Sequence, residues 1–176
     1  MKFYHVLCLA TIITAASSCG SAETQKAATA APSPVKLSQF NDVEDVQKRL
    51  SAAGIGELRK WKGDGFGYLS SSPYFSFGEG ELPDNMAYYL ESDNANNIKK
   101  LKLVLNINTA NKKTALSKFA ETVEKTYNVL ELPPSSEIVK AAVTGKATEI
   151  DKDTYTESIE LEKSNIETWK FVIETK

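Results

Sequence analysis

Histidine and cysteine are nearly absent from this 176-residue sequence, and both are confined to its first nineteen positions. His5 is the single histidine, and Cys8 and Cys19 are the two cysteines. Everything after Cys19 therefore lacks the residues for a Ser-His-Asp triad, a Cys-His pair, an imidazole metal ligand or an internal disulfide. We expect neither a resident metal nor a cofactor.

The residues that remain for catalysis are carboxylates, lysines, tyrosines and hydroxyls. These groups suffice for glycoside chemistry or for binding a hard cation. Their spacing matches no diagnostic motif, so we predict no catalytic residue. The composition therefore favours a protein that is not an enzyme.

An excess of positive charge is also missing. Without Lys2, 20 basic residues stand against 23 acidic ones, which makes the formal net charge −3. Nucleic acid, which demands a basic surface, is not an expected partner.

The amino-terminal segment has the composition of a secretory leader. Lys2 is followed by the apolar run FYHVLCLATIITAA, which is too short to cross a bilayer as a helix. The sequence ASSCG that follows, at positions 16–20, resembles the lipobox of bacterial lipoproteins. The resemblance implies that Cys19 receives a diacylglycerol and becomes the first mature residue. It also implies export to the cell envelope and, because Gly20 follows the cysteine, sorting to the outer membrane of a double-membraned bacterium.

The leader also admits a second interpretation, because the small residues GSA at positions 20–22 permit ordinary signal peptidase cleavage after Ala22. The lipoprotein interpretation divides the chain into three parts. Residues 1–18 are the signal peptide, and residues 19–38 are the lipidated cysteine and a small, polar, proline-containing tether. Residues 39–176 are long enough for a single domain with one core.

Helical periodicity predicts three helices after the tether. The first begins at an Asn41 cap, the longest covers NKKTALSKFAETVEKTYNVLEL and stops before Pro133, and the third, SSEIVKAAVTG, ends at Gly145. The longest helix has an apolar stripe made of Leu116, Phe119, Ala120, Val123, Tyr127 and Leu130.

Period-two alternation predicts strands in MAYYLES and IKKLKLVLNIN, joined as a hairpin by DNANN, and a closing hairpin in TYTESIELEKSNIETWKFVIET. The predicted fold class is α+β. We expect a mainly antiparallel sheet of about five strands with helices packed on one face, in the order helix, strands, helix, helix, two strands.

The stretch from Trp61 to Asp84 is rich in both aromatic residues and glycine. Exposed rings could bind a sugar or an apolar ligand beside a carboxylate. The candidate ligand-binding residues on this interpretation are Trp61, Asp64, Tyr68, Tyr74 and Glu79.

The favoured interpretation of the same stretch is two short strands joined through SSSP, whose alternating rings face the core. It predicts that Phe66 and Tyr68 are buried on one face and that Phe75 and Phe77 are buried likewise. Tyr74, one position out of phase, is predicted to point to the opposite face, where it can be exposed.

These features favour a lipid-anchored envelope protein whose α+β domain binds a ligand or a protein without catalysis. Its expected partners are the membrane, through the lipid, and an envelope protein or a glycan. Two alternatives stay open. One is an enzyme that acts on cell-wall or glycan material through loop carboxylates such as Asp64 and Glu79, and the other is a carbohydrate-binding module that uses the aromatic stretch.

Overall fold

A computed structural model describes residues 36–176 of the chain. Residues 1–35, which include the predicted leader, Cys19 and most of the predicted tether, lie outside the described residues. The helices are α1 (Val43–Ser51), α2 (Lys112–Val129) and α3 (Ser136–Thr144), preceded by a 3-10 turn at Ser38–Asn41. The strands are β1 (Lys62–Gly63), β2 (Tyr68–Ser71), β3 (Phe75–Phe77), β4 (Asp84–Ser92), β5 (Lys100–Ile107), β6 (Thr148–Asp151), β7 (Tyr155–Lys163) and β8 (Glu167–Thr175).

The strands form one antiparallel sheet in the order β1-β2-β4-β5-β8-β7-β6, and β3 also pairs with β4. The α+β class with an antiparallel sheet is confirmed, as are the β4–β5 and β7–β8 hairpins. The expected number and order of strands were wrong, because the described residues contain eight strands and three of them follow the helices. Strand β6, which was not predicted, has four residues and a single large apolar side chain, Ile150. Its sequence is too short to show strand periodicity, and its pairing with β7 identifies it as a strand.

One face of the sheet carries the core. The alternation of β4, β5 and β8 places Tyr88 opposite Leu103 and Leu103 opposite Phe171, and all three are fully buried. Adjacent strands thus present matched apolar rows to the helices, which is the half-buried arrangement of an antiparallel sheet with one covered face.

Helix α2 lies on this inner face. The Asn111 side chain caps it by accepting a hydrogen bond from the Thr114 backbone N–H. Every residue of the predicted stripe is buried, so the prediction of an amphipathic helix is confirmed. The Tyr88 hydroxyl lies 2.7 Å from the Thr126 hydroxyl, which joins β4 to α2 within the core.

The other two helices pack on the same side. Asp42 rather than Asn41 caps α1, because its carboxylate accepts from the Asp45 N–H. Helix α1 reaches β2 through a hydrogen bond of 2.8 Å from the Gln47 amide to the Ser70 hydroxyl. Helix α3 ends at Gly145, as predicted, in the left-handed conformation.

The segment from β2 to β3 differs from the expected pair of strands joined by a turn. Ser71 pairs with Tyr89 and Phe75 pairs with Met86, so both strands follow the same edge of β4. Three residues, 72–74, stand opposite two residues of β4, which is a one-residue β-bulge. The sequence SSSP therefore bends one edge strand instead of reversing the chain.

Candidate functional site

The sequence GDGFG forms the tip of a hairpin between β1 and β2. Lys62 pairs with Leu69 and Gly63 pairs with Tyr68, which leaves residues 64–67 as the connecting loop. The Asp64 carboxylate accepts hydrogen bonds from the Phe66 N–H at 2.9 Å and the Gly67 N–H at 3.1 Å. These two backbone donors stabilise the ionised carboxylate and hold the pKa of Asp64 below its usual value.

Glycine is required at two positions of this loop. Gly65 has φ +94°, in the left-handed region that side chains disfavour. A Cβ on Gly67 would lie 2.6 Å from the Ser92 carbonyl oxygen, so only glycine lets the loop approach the end of β4 this closely. The Asp64 hydrogen bonds and the contact with Ser92 together fix the shape of the tip.

Phe66 lies at this tip and is 100% exposed. The prediction that it is buried beside Tyr68 was wrong, because the strand alternation stops at Gly63 and the loop directs the ring into solvent. Leu69, 37% exposed, adds a second apolar side chain on the same hairpin. An open depression of about 290 Å³ is lined by these two residues together with Glu91.

Trp61 and Tyr68 stack on each other across the base of the hairpin. Their ring centroids are 5.9 Å apart with 25° between the planes. The Trp61 indole N–H donates to the Ala95 carbonyl at 3.0 Å, which ties the hairpin to the β4–β5 connection. Both rings are half-buried, so each has one face against its neighbour and part of its surface in solvent.

The burial of the aromatic residues of β3 agrees more closely with the prediction. Phe75 and Phe77 stack at 6.1 Å and pack against the core, although both are half-buried rather than fully buried. Tyr74, in the bulge, is 62% exposed, which its predicted phase allowed. The Tyr89 hydroxyl donates to the Tyr74 hydroxyl at 3.2 Å, and burial together with this hydrogen bond raises the pKa of Tyr89 to about 12.

The loop carboxylates do not converge. Asp64 is beside Ser92 at one end of β4, whereas Glu79 is exposed in the β3–β4 loop at the other end. The nine residues of β4 separate these ends by roughly 26 Å, far beyond the spacing of about 5 to 9.5 Å that paired glycosidase carboxylates need. The structure thus brings together Trp61, Asp64 and Tyr68 in one hairpin and leaves Glu79 apart.

Asp84, another acid of this stretch, has a structural role. It is buried, and its carboxylate accepts hydrogen bonds from the Asn108 N–H at 2.7 Å and from both the N–H and the hydroxyl of Thr109 at 2.9 Å. It therefore holds the connection from β5 to α2 against the start of β4.

A buried carboxylate that was not predicted from the sequence lies under α2. Glu157 on β7 is fully buried, and its Oε2 accepts a hydrogen bond of 2.8 Å from the Tyr127 hydroxyl. The Lys152 Nζ lies 3.3 Å from Oε1, which accepts no hydrogen bond within the described residues. Burial and the adjacent carboxylate raise the pKa of Tyr127. Glu157 shares the phase of Tyr155 and Ile159, and this was the available sign that it points inward.

Within residues 36–176, no three acidic, histidine or cysteine side chains are grouped closely enough to hold a metal ion. No helix in that same range is long and apolar enough to cross a membrane.

Comparison with known protein families, with curated proteins and with solved structures finds no match for this chain.

Proposed function

We propose that this protein is a lipid-anchored component of the cell envelope, attached through Cys19, whose α+β domain binds a partner or ligand without catalysing a reaction. The leader and the lipobox-like ASSCG sequence support the anchor, export and outer-membrane sorting. The domain contributes a binding surface, which we call the hairpin surface and define as Trp61, Phe66 and Tyr68.

The observation that carries the binding role is a fully exposed phenylalanine in a loop whose backbone is hydrogen-bonded to Asp64. An exposed aromatic ring in water gives the domain no stability, whereas a large apolar ring is an effective contact residue when a partner covers it. The loop is already fixed by Asp64, so binding through Phe66 loses little conformational entropy. Such preorganisation favours binding over an accidental exposure.

The experiment for the anchor compares wild type with Cys19→Ser in cells fed a fatty-acid probe. Wild type incorporates the probe and fractionates with the outer membrane, whereas Cys19→Ser is unlabelled and is released to the soluble fraction. Cys8→Ser is the matched control, because it changes the other cysteine of the leader and leaves the lipobox intact. Equal labelling or equal membrane association of wild type and Cys19→Ser would contradict the anchor.

A further inference from the structure

The hairpin surface lies at the end of the sheet where the tether joins the domain. The Phe40 carbonyl accepts a hydrogen bond of 2.8 Å from the Ile98 N–H, in the β4–β5 connection. The Leu37 N–H reaches the Thr175 hydroxyl, and the Thr175 N–H in turn donates to the Lys99 carbonyl. The first described residues are therefore fastened beside the β4–β5 connection.

The hairpin is held at that same connection. Trp61 donates to the Ala95 carbonyl, and Gly67 packs on the Ser92 carbonyl at the end of β4. A lipid on Cys19 would thus attach the domain to the membrane through the end of the sheet at which Phe66 is exposed. The eighteen residue steps from Cys19 to Leu37 span roughly 60 Å at most, so the domain stays within reach of the membrane surface.

The side chains of the hairpin have the chemistry of a bilayer interface. Phe66 supplies an apolar tip, and the half-buried Trp61 and Tyr68 combine a ring with a polar group, as do the aromatic residues that concentrate at membrane interfaces. Lys60 and Lys62 are exposed nearby, but Asp64 and Asp93 are exposed there too. Because these two positive and two negative charges balance, we expect insertion of apolar side chains, rather than attraction to anionic headgroups, to contribute most of the affinity for the membrane.

We propose that the β1–β2 hairpin docks on the lipid bilayer with the Phe66 ring inserted into its interface, so that lipid and hairpin together set the orientation of the domain. This proposal rests on the lipid anchor of the proposed function. A single inserted ring binds weakly on its own, and the anchor makes its contact with the membrane intramolecular, which raises its effective concentration.

The test places a nitroxide spin label at Phe66→Cys in the lipidated mature chain, whose Cys19 thiol is blocked by the lipid, reconstituted into phosphatidylcholine vesicles. The Phe66 side chain is fully exposed, so its replacement leaves the fold intact. Leu82→Cys is the matched control, because Leu82 is 75% exposed in the loop at the opposite end of β4. We expect the ratio of collision rates with oxygen and with a water-soluble nickel chelate to rise on vesicle binding at position 66 and to stay unchanged at position 82.

Each outcome decides the proposal. Equal, water-like ratios at the two positions in anchored protein would overturn it. Immersion of the label only in vesicles that contain phosphatidylglycerol would also overturn it, in favour of a charge-driven contact. A label that is exposed on vesicles but shielded in intact cells would overturn it in favour of a protein partner.

The mass of the purified mature chain reports separately whether Cys19 carries a diacylglycerol. If it does not, the proposed anchor fails, and the same label is measured on a Phe66→Cys chain that also carries Cys19→Ser, so that Cys19 cannot be labelled, added to a large excess of vesicles. A label that still enters the lipid would support the hairpin contact alone, and a label that remains in water would overturn it.

Discussion

Replacing Tyr127 with phenylalanine removes the hydroxyl that donates to the buried carboxylate of Glu157. The ring itself is retained, and with it the packing against Phe171 at a centroid distance of 5.3 Å. The loss is therefore one hydrogen bond to a charged acceptor, which contributes about 1.5 to 3 kcal/mol. Lys152 still lies near Oε1, so Glu157 keeps one partner, and we expect a destabilisation of about 2 kcal/mol.

A double-mutant cycle with Glu157→Gln isolates this interaction. In that background the hydrogen bond is between neutral groups, and Tyr127→Phe should cost only about 1 kcal/mol. The measurement is urea unfolding followed by tryptophan fluorescence, with the midpoint and slope fitted for all four proteins. Tyr68→Phe removes a hydroxyl from the hairpin, remote from α2, and serves as the control. Two results would refute the argument. One is that Tyr127→Phe lowers the free energy of unfolding equally in the wild-type and Glu157→Gln backgrounds, and the other is that it lowers it by less than about 0.5 kcal/mol in wild type.

Two further predictions concern the same core. Phe119→Ala should lower the free energy of unfolding by about 3 to 5 kcal/mol, because the ring is fully buried between α2 and the sheet, and an unchanged urea midpoint would contradict that packing. Stability should also fall as the pH rises above about 10, because burial raises the pKa of Tyr88 and Tyr127 in the folded state and the unfolded chain loses those protons first. The melting temperature measured across that pH range tests this prediction. Tyr88→Phe should make the fall in melting temperature with pH shallower. A melting temperature that stays constant while the tyrosines titrate would contradict it.

The elements with local sequence signals could be predicted from the amino-acid sequence alone. Helix α2 has an asparagine cap, an apolar residue at every turn and a proline pair beyond its end, so its position follows from neighbours within four residues along the chain. The β4–β5 hairpin likewise combines strict alternation with a turn rich in asparagine. The burial of Phe119 and of Leu103 follows from those periods.

Other elements depend on a partner strand rather than on their own residues, and only the folded sheet shows them. β6 is a strand because β7 offers it a free edge, and its own four residues contain too little periodicity to show it. β2 and β3 became one bulged edge because both match the register of β4. The partner strand sets this pairing, so the short segments show little of it in their own sequences.

The candidate site divides in the same way. The composition of residues 61–84 identified an aromatic, glycine-rich stretch, but it placed the turn at SSSP instead of at residues 64–67. The Asp64 turn directs Phe66 outward, whereas strand alternation alone predicted that it points inward. The phase of β7 placed Glu157 on the inner face, yet its burial depends on Tyr127, thirty residues earlier in the chain. A carboxylate at an inward position can be solvated, paired or buried, and only the element packed over it, here α2, determines which of these occurs.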